Sequence, residues 1–140
     1  MFVVNNDARF FPNLIINEHK NVLKFDRILC DVPCSGDGTF RKNLGLWKNF
    51  HSHMGHANHP LQLDILERGF KMLKRGGRIV YSTCSFNPIE NEAVVAAAVA
   101  RHIKQIRIVD VRKEISPHLK YREGLTNWKV YHNGKETTHP

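Results

Sequence analysis

Arg27-Ile28-Leu29-Cys30-Asp31-Val32-Pro33-Cys34-Ser35-Gly36 and Arg78-Ile79-Val80-Tyr81-Ser82-Thr83-Cys84-Ser85 are the two stretches that decide the fold. Each begins with a short, largely apolar run and stops at a cysteine beside Pro, Ser or Gly. Near-continuous apolar runs of this length suit strands buried on both faces of a parallel sheet. Between them lies a helical pattern. Pro60 suits a first helical position, Leu63, Leu66, Phe70 and Leu73 fall on one face, and Gly76-Gly77 suits its end. A helix between two strands makes them parallel neighbours joined by a crossover. Ligands of open α/β sheets bind outside the carboxyl ends of the strands, so both cysteines are expected in one crevice.

Working outward, Cys34 to His59 is rich in Gly, Asn and His and reads as a long loop with short helical pieces. After the second strand, Asn87-Pro88-Ile89-Glu90 reads as a helix start, with Asn87 as N-cap and Glu90 as the carboxylate of a capping box. Val94, Val95, Ala98 and Val99 supply that helix with an apolar stripe. Ile106-Arg107-Ile108-Val109-Asp110-Val111 alternates and suggests a later strand. Trp128-Lys129-Val130-Tyr131 reads as a strand running into a turn at His132-Asn133-Gly134. Val3-Val4, before Asn5-Asn6-Asp7, reads as the tail of an earlier strand. The order of strands and helices indicates an α/β domain with a mostly parallel sheet.

The totals are compatible with this. The chain has 140 residues, the size of one domain, and 41% hydrophobic residues. No apolar run is long enough to span a bilayer, and the first residues show no signal-peptide pattern. Three cysteines argue against a disulfide framework and fit a reducing compartment. Lys and Arg number 21 against 13 Asp and Glu; the net charge of +8 and pI near 9.7 favour a polyanionic partner without separating RNA from DNA.

A cysteine is most often a small buried hydrophobe, and that reading is adopted for Cys30, inside its strand. Cys34 and Cys84 stand where strands stop, and Cys84 also precedes a helix N-terminus, a place that favours thiolate. Pro33 constrains Val32 to an extended shape and aims Cys34 out of the sheet. His51, His53, His56 and His59 form a cluster whose spacing fits no standard zinc pattern, so no metal is expected. Arg41, Lys42 and Lys48 suit phosphate contacts or, equally, a solvated basic face.

Asp31-Val32-Pro33-Cys34-Ser35-Gly36-Asp37-Gly38-Thr39 with Arg41-Lys42-Asn43, and Tyr81-Ser82-Thr83-Cys84-Ser85-Phe86-Asn87-Pro88-Ile89-Glu90-Asn91-Glu92-Ala93-Val94-Val95, resemble motifs IV and VI of the NSUN family of RNA cytosine-C5 methyltransferases. Val4-Asn5-Asn6-Asp7-Ala8 resembles the family's motif III, and Gly124-Leu125-Thr126-Asn127-Trp128-Lys129-Val130 resembles a segment of its tRNA-modifying branch. The resemblance covers nearly the whole chain.

It implies a Rossmann-like class I S-adenosylmethionine-dependent methyltransferase sheet of order 3-2-1-4-5-7-6. Residues 1–140 would form part of that catalytic domain, from motif III onward. The glycine-rich cofactor loop and the first two strands are not among them, and Thr138-His139-Pro140 looks cut short. It further implies Cys84 as the nucleophile toward cytosine carbon 6 and Cys34 as the residue that assists release. Asp31 would lie beside both cofactor and base, and Asp7 would contact the adenosine part of S-adenosylmethionine. A turn or capping role is the plainer reading of Asp7. The implied partner is RNA, specifically tRNA, inside the cell in the nucleus or nucleolus, with the cytoplasm as the alternative. Two competing readings are a non-catalytic RNA-binding module and a DNA cytosine methyltransferase, whose Pro-Cys nucleophile Cys34 alone would match.

Overall fold

The computed structural model describes residues 3–16, 21–115, 117–132 and 134–137. Residues 1–2 and 138–140, and Asn133 of the expected turn, lie outside them. A short 3-10 turn, Ala8–Phe10, precedes strand β1, Phe25–Asp31. A second 3-10 turn, Asp37–Thr39, and helix α1, Leu46–Asn49, follow in the loop. Helix α2, His53–Met72, leads directly into strand β2, Leu73–Ser82, and then helix α3, Glu92–Arg101. Strands β3, Val130–His132, and β4, Lys135–Thr137, form an antiparallel hairpin where the sequence suggested a strand and turn.

β1 and β2 pair in parallel, from Arg27 opposite Arg78 to Asp31 opposite Ser82, with α2 as the crossover between them. The register brings the two cysteine-bearing loops out side by side at the carboxyl end of the pair. The first three residues of contact are irregular: Phe25 stands opposite Leu73, yet Arg27 stands opposite Arg78. The extra residues of β2 are absorbed at Gly76, whose φ of 77° is left-handed.

Cys30 and Val32 pack against Leu63 and Leu66 of α2 and Val94 and Ala98 of α3, with Ile28, Ile79 and Tyr81 at the margin. The strand pair is thus covered on one face. Leu29 and Val80, at 67% and 58% exposure, lie on the other, which differs from the expectation of burial on both. Among the described residues β1 and β2 have no strand neighbour but each other.

Several boundaries differ from those the sequence suggested. α2 begins at His53, so Pro60 sits in its interior. Proline there removes one intrahelical bond and disfavours the preceding turn. Tertiary contacts hold that turn in place: Gly55 is buried against Asn87, and His59 Nδ1 lies 2.8 Å from the Ile89 carbonyl. Leu73 and Gly76-Gly77 belong to β2 rather than to a helix end. α3 begins at Glu92, because residues 88–91 form a separate turn in which Asn87 Oδ1 accepts from the Ile89 amide at 3.0 Å. Residues 106–111 form no strand and leave Ile108 exposed; alternation alone does not hold a strand that has no partner. Val3 and Val4 are likewise exposed and outside any strand. No described helix is long and apolar enough to cross a membrane.

Candidate active site

The two strand ends deliver their cysteines to one point. Cys34 Sγ and Cys84 Sγ lie 3.2 Å apart, within reach of an S–H···S hydrogen bond in which either can donate. The Cys84 amide also donates to Cys34 Sγ at 3.3 Å. Cys34 is partly covered and Cys84 exposed. Burial pushes the Cys34 thiol up to about 11, and the hydrogen bond with Cys84 adds to the effect, so Cys34 is protonated at neutral pH. Cys30, as expected of a residue inside a strand, is buried in the core, and burial pushes its thiol up to about 11 as well.

The two loops are stitched together directly. The Val32 amide donates to the Ser82 carbonyl, and the Gly38 amide donates to the Cys84 carbonyl at 3.0 Å. Asp37 Oδ1 accepts from the Phe86 amide at 2.9 Å. Gly36 adopts a left-handed φ of 74°, and a Cβ there would stand 3.9 Å from Cys84 Sγ and 3.3 Å from Leu46 Cδ1. The Ser-Gly-Asp-Gly segment therefore lies close over the second cysteine, with glycine at residue 36 favoured by its left-handed dihedral.

Asp31 ends β1 with Oδ1 accepting from the Ser82 hydroxyl at 2.7 Å, which links it to the strand that carries Cys84. Asp7 caps the first 3-10 turn, accepting from the Arg9 amide at 2.9 Å, and its carboxylate meets the Arg9 guanidinium at 2.6 Å. Those hydrogen bonds hold the Asp7 carboxyl below its ordinary value. The capping role is thus real. Asp7 and Asp31 nevertheless line one open cleft of about 880 Å³, together with Asn5, Asn6, Arg27 and Arg68. Cys34 and Cys84 are not among the residues that line it.

The aromatic residues of the loop form their own packing unit. Phe40 stacks on Trp47 at 4.7 Å between ring centroids and meets Phe50 edge-on. Trp47 and Phe86 are exposed, as are Arg41, Lys42 and Lys48. The histidine cluster is spread along α2 and the turn before it. Among the described residues no group of three His, Cys, Asp or Glu is arranged to hold a metal ion.

One feature was missed by the sequence reading. Glu90, expected as the carboxylate of a capping box, is fully buried behind the cysteine pair. It accepts from the Ser35 amide at 2.9 Å, the Ser85 hydroxyl at 2.8 Å, Asn58 Nδ2 and Gln62 Nε2, both at 3.0 Å, and the Ser35 hydroxyl. Burial pushes its carboxyl up, but the hydrogen bonds from Ser35, Asn58 and Ser85 together outweigh burial and leave it lowered. The signal available was Asn58 and Gln62, polar residues one turn apart on a face that otherwise points to the core.

Comparison with known proteins bears out the resemblance drawn from motifs IV and VI. The family model for the 16S rRNA methyltransferase RsmB/F matches residues 1–135. The multisite-specific tRNA:(cytosine-C(5))-methyltransferase of Saccharomyces cerevisiae is 52% identical over 135 residues, 94% of this chain and 20% of its own length. The tRNA (cytosine(34)-C(5))-methyltransferase of Drosophila melanogaster is 47% identical over 133 residues, 93% of this chain and 18% of its own length. The chain thus spans about a fifth of the curated relatives it matches. The crystal structure of PH0851 superposes with a TM-score of 0.53 at 34% identity, covering 55% of this chain and 17% of that one. Fold and relatives agree on an α/β, partial Rossmann-like methyltransferase domain, and the chain belongs to the 16S rRNA methyltransferase RsmB/F family.

Proposed function

We propose that the protein methylates carbon 5 of a cytosine in RNA, specifically tRNA, with Cys84 as nucleophile and Cys34 as its helper. The observation that carries this reading is the 3.2 Å contact between two sulfurs at the carboxyl ends of adjacent parallel strands. The substrate class rests on the tRNA cytosine-C5 methyltransferases among the relatives and on the net charge of +8.

Carbon 5 of cytosine is a poor nucleophile. Cys84, as thiolate, adds to carbon 6; the S–C6 bond forms and the electron pair of the ring double bond moves toward carbon 5. S-adenosylmethionine, when bound, supplies the electrophilic methyl group that carbon 5 takes. The cleft lined by Asp7 and Asp31 fits that cofactor in volume and in its carboxylate acceptors, and these two residues would hold it. Asp31, at the strand end beside Ser82, can also accept from the exocyclic amino group of the base. Cys34 is a thiol at neutral pH, so its S–H can donate to the Cys84 sulfur. The same donation assists departure when water takes the carbon 5 proton, the C5–H electron pair reforms the ring double bond and the S–C6 pair returns to the Cys84 sulfur. Arg41, Lys42 and Lys48 flank the exposed Trp47 and suit phosphate contacts around the target nucleotide.

The test is methyl transfer to unmodified tRNA by the full-length protein. Cys84→Ala is expected to abolish it with the fold intact, whereas normal turnover by that variant would overturn the assignment.

A further inference from the structure

We propose that Glu90 is a positioning residue that sets the separation of the two sulfurs, by tying the loop behind each cysteine to one buried carboxylate. Its catalytic meaning rests on the function proposed above; its geometry does not.

A fully buried carboxylate is costly unless its oxygens are satisfied. Among the described residues no Lys or Arg is a hydrogen-bond partner of the carboxylate; the donors come from three separate parts of the chain. Ser35, in the loop after β1, directly follows Cys34 and gives both its amide and its hydroxyl. Ser85, in the loop after β2, directly follows Cys84 and gives its hydroxyl at 2.8 Å. Asn58 and Gln62 reach up from α2. Gln62 Nε2 also donates to the Pro33 carbonyl at 2.8 Å. Both peptide units that flank Cys34 are therefore fixed by the same network. Ser35 Oγ and Ser85 Oγ lie 3.3 Å from each other as well as on Glu90 Oε2. Glu90 is itself held, because the Tyr81 hydroxyl donates to its main-chain carbonyl. None of these bonds caps α3, whose N-cap is Asn91. The carboxylate instead joins the two loops and α2 at one point behind the sulfurs.

The donor pattern predicts what each substitution does. In Glu90→Gln an amide oxygen in the place of Oε1 keeps the donors from Ser35, Asn58 and Gln62. The amide nitrogen in the place of Oε2 can donate to the two serine hydroxyls, which then act as acceptors. Glu90→Ala removes every tie at once, and Ser85→Ala cuts only the tie to the Cys84 loop.

The experiment measures how readily the pair closes into a disulfide. The full-length protein and each variant are equilibrated with reduced and oxidised glutathione, below the melting temperature of each. Two protein thiols are oxidised and one glutathione disulfide is reduced to two thiols; the Cys34–Cys84 disulfide is quantified by peptide mass spectrometry. The equilibrium constant is the effective concentration of one thiol at the other. It is expected to fall about tenfold or more in Glu90→Ala and about threefold in Ser85→Ala, with Glu90→Gln within about twofold of wild type. Unchanged effective concentration in folded Glu90→Ala would show that Glu90 merely fills space and overturn the proposal. If that variant does not fold, an unchanged value in Ser85→Ala does the same. No methyl transfer enters the readout, so failure here is distinct from failure of the proposed function.

Discussion

Gly38→Ala should slow chemistry far more than it destabilises the fold. A Cβ at this position would stand 2.7 Å from the carbonyl oxygen of Cys84 and 3.3 Å from its carbonyl carbon. Both are backbone atoms, so no rotamer change relieves the clash. To reach the 3.4 Å at which ordinary contact begins, the Cys84 carbonyl must retreat by about 0.7 Å. The hydrogen bond from the Gly38 amide to that carbonyl, 3.0 Å long, is lost or stretched, a loss of about 1 kcal/mol. Against it stands a gain of about 0.4–1 kcal/mol from the smaller entropy of the unfolded chain, since Gly38 has no left-handed φ to forbid alanine. The displaced backbone adds strain to that loss, so the entropy gain offsets only part of it and the melting temperature should fall modestly. The retreat is delivered to Cys84, the residue proposed as nucleophile. A misplacement of about 1 Å can cost about a hundredfold, so 0.7 Å is expected to cost roughly ten- to thirtyfold. Single-turnover methyl transfer at saturating tRNA and cofactor measures the loss, and a thermal melt measures stability. A wild-type rate, or a rate loss accounted for by unfolding, would refute the reasoning.

Three further outcomes follow from other parts of the molecule. Val94 is fully buried between α3 and the strand pair, so Val94→Ala should cost about 2 kcal/mol in a urea titration; an unshifted midpoint would mean this core is not closed. The Glu90 carboxyl is lowered from its ordinary 4.5, so its contribution to stability is fully present above about pH 4.5 and is lost as pH falls through the lowered folded-state value. Stability curves of wild type and Glu90→Gln should converge in that window; curves that stay parallel to lower pH would contradict it. The net charge of +8 predicts an RNA affinity dominated by phosphate contacts, falling steeply between low and physiological salt in a filter-binding series. A flat salt response would assign the basic surplus to a solvated surface.

Much of the site was legible because the chemistry is concentrated where strands end. Cys34 and Cys84 each follow an apolar run, and a helix between the runs is enough to make those runs parallel neighbours. That argument needs no knowledge of side-chain packing, and the register confirms the neighbourhood. Cys30 was legible for the converse reason, its place inside the run. The boundaries of α2 and α3 were not legible. Proline at residue 60 and asparagine at residue 87 are strong local signals, but contacts of Gly55, His59 and Asn87 across sequence outweigh them. Glu90 was misassigned for the same reason. A carboxylate three residues after asparagine fits a capping box, and only the arrival of Ser35, Asn58, Gln62 and Ser85 turns it inward. Residues 106–111 show the limit of pattern: the alternation is present, but among the described residues no neighbour completes a ladder.

The order in which the two sulfurs act is the central claim, and one measurement tests it directly. The full-length Cys34→Ala protein is incubated with unmodified tRNA and S-adenosylmethionine, resolved on a denaturing gel, and digested for peptide mapping. If Cys84 attacks and Cys34 assists release, a slow-migrating protein–RNA adduct accumulates with the nucleotide on Cys84, and Cys34→Ala/Cys84→Ala forms none. An adduct that persists in the double variant, or that maps to a residue other than Cys84, would contradict the account.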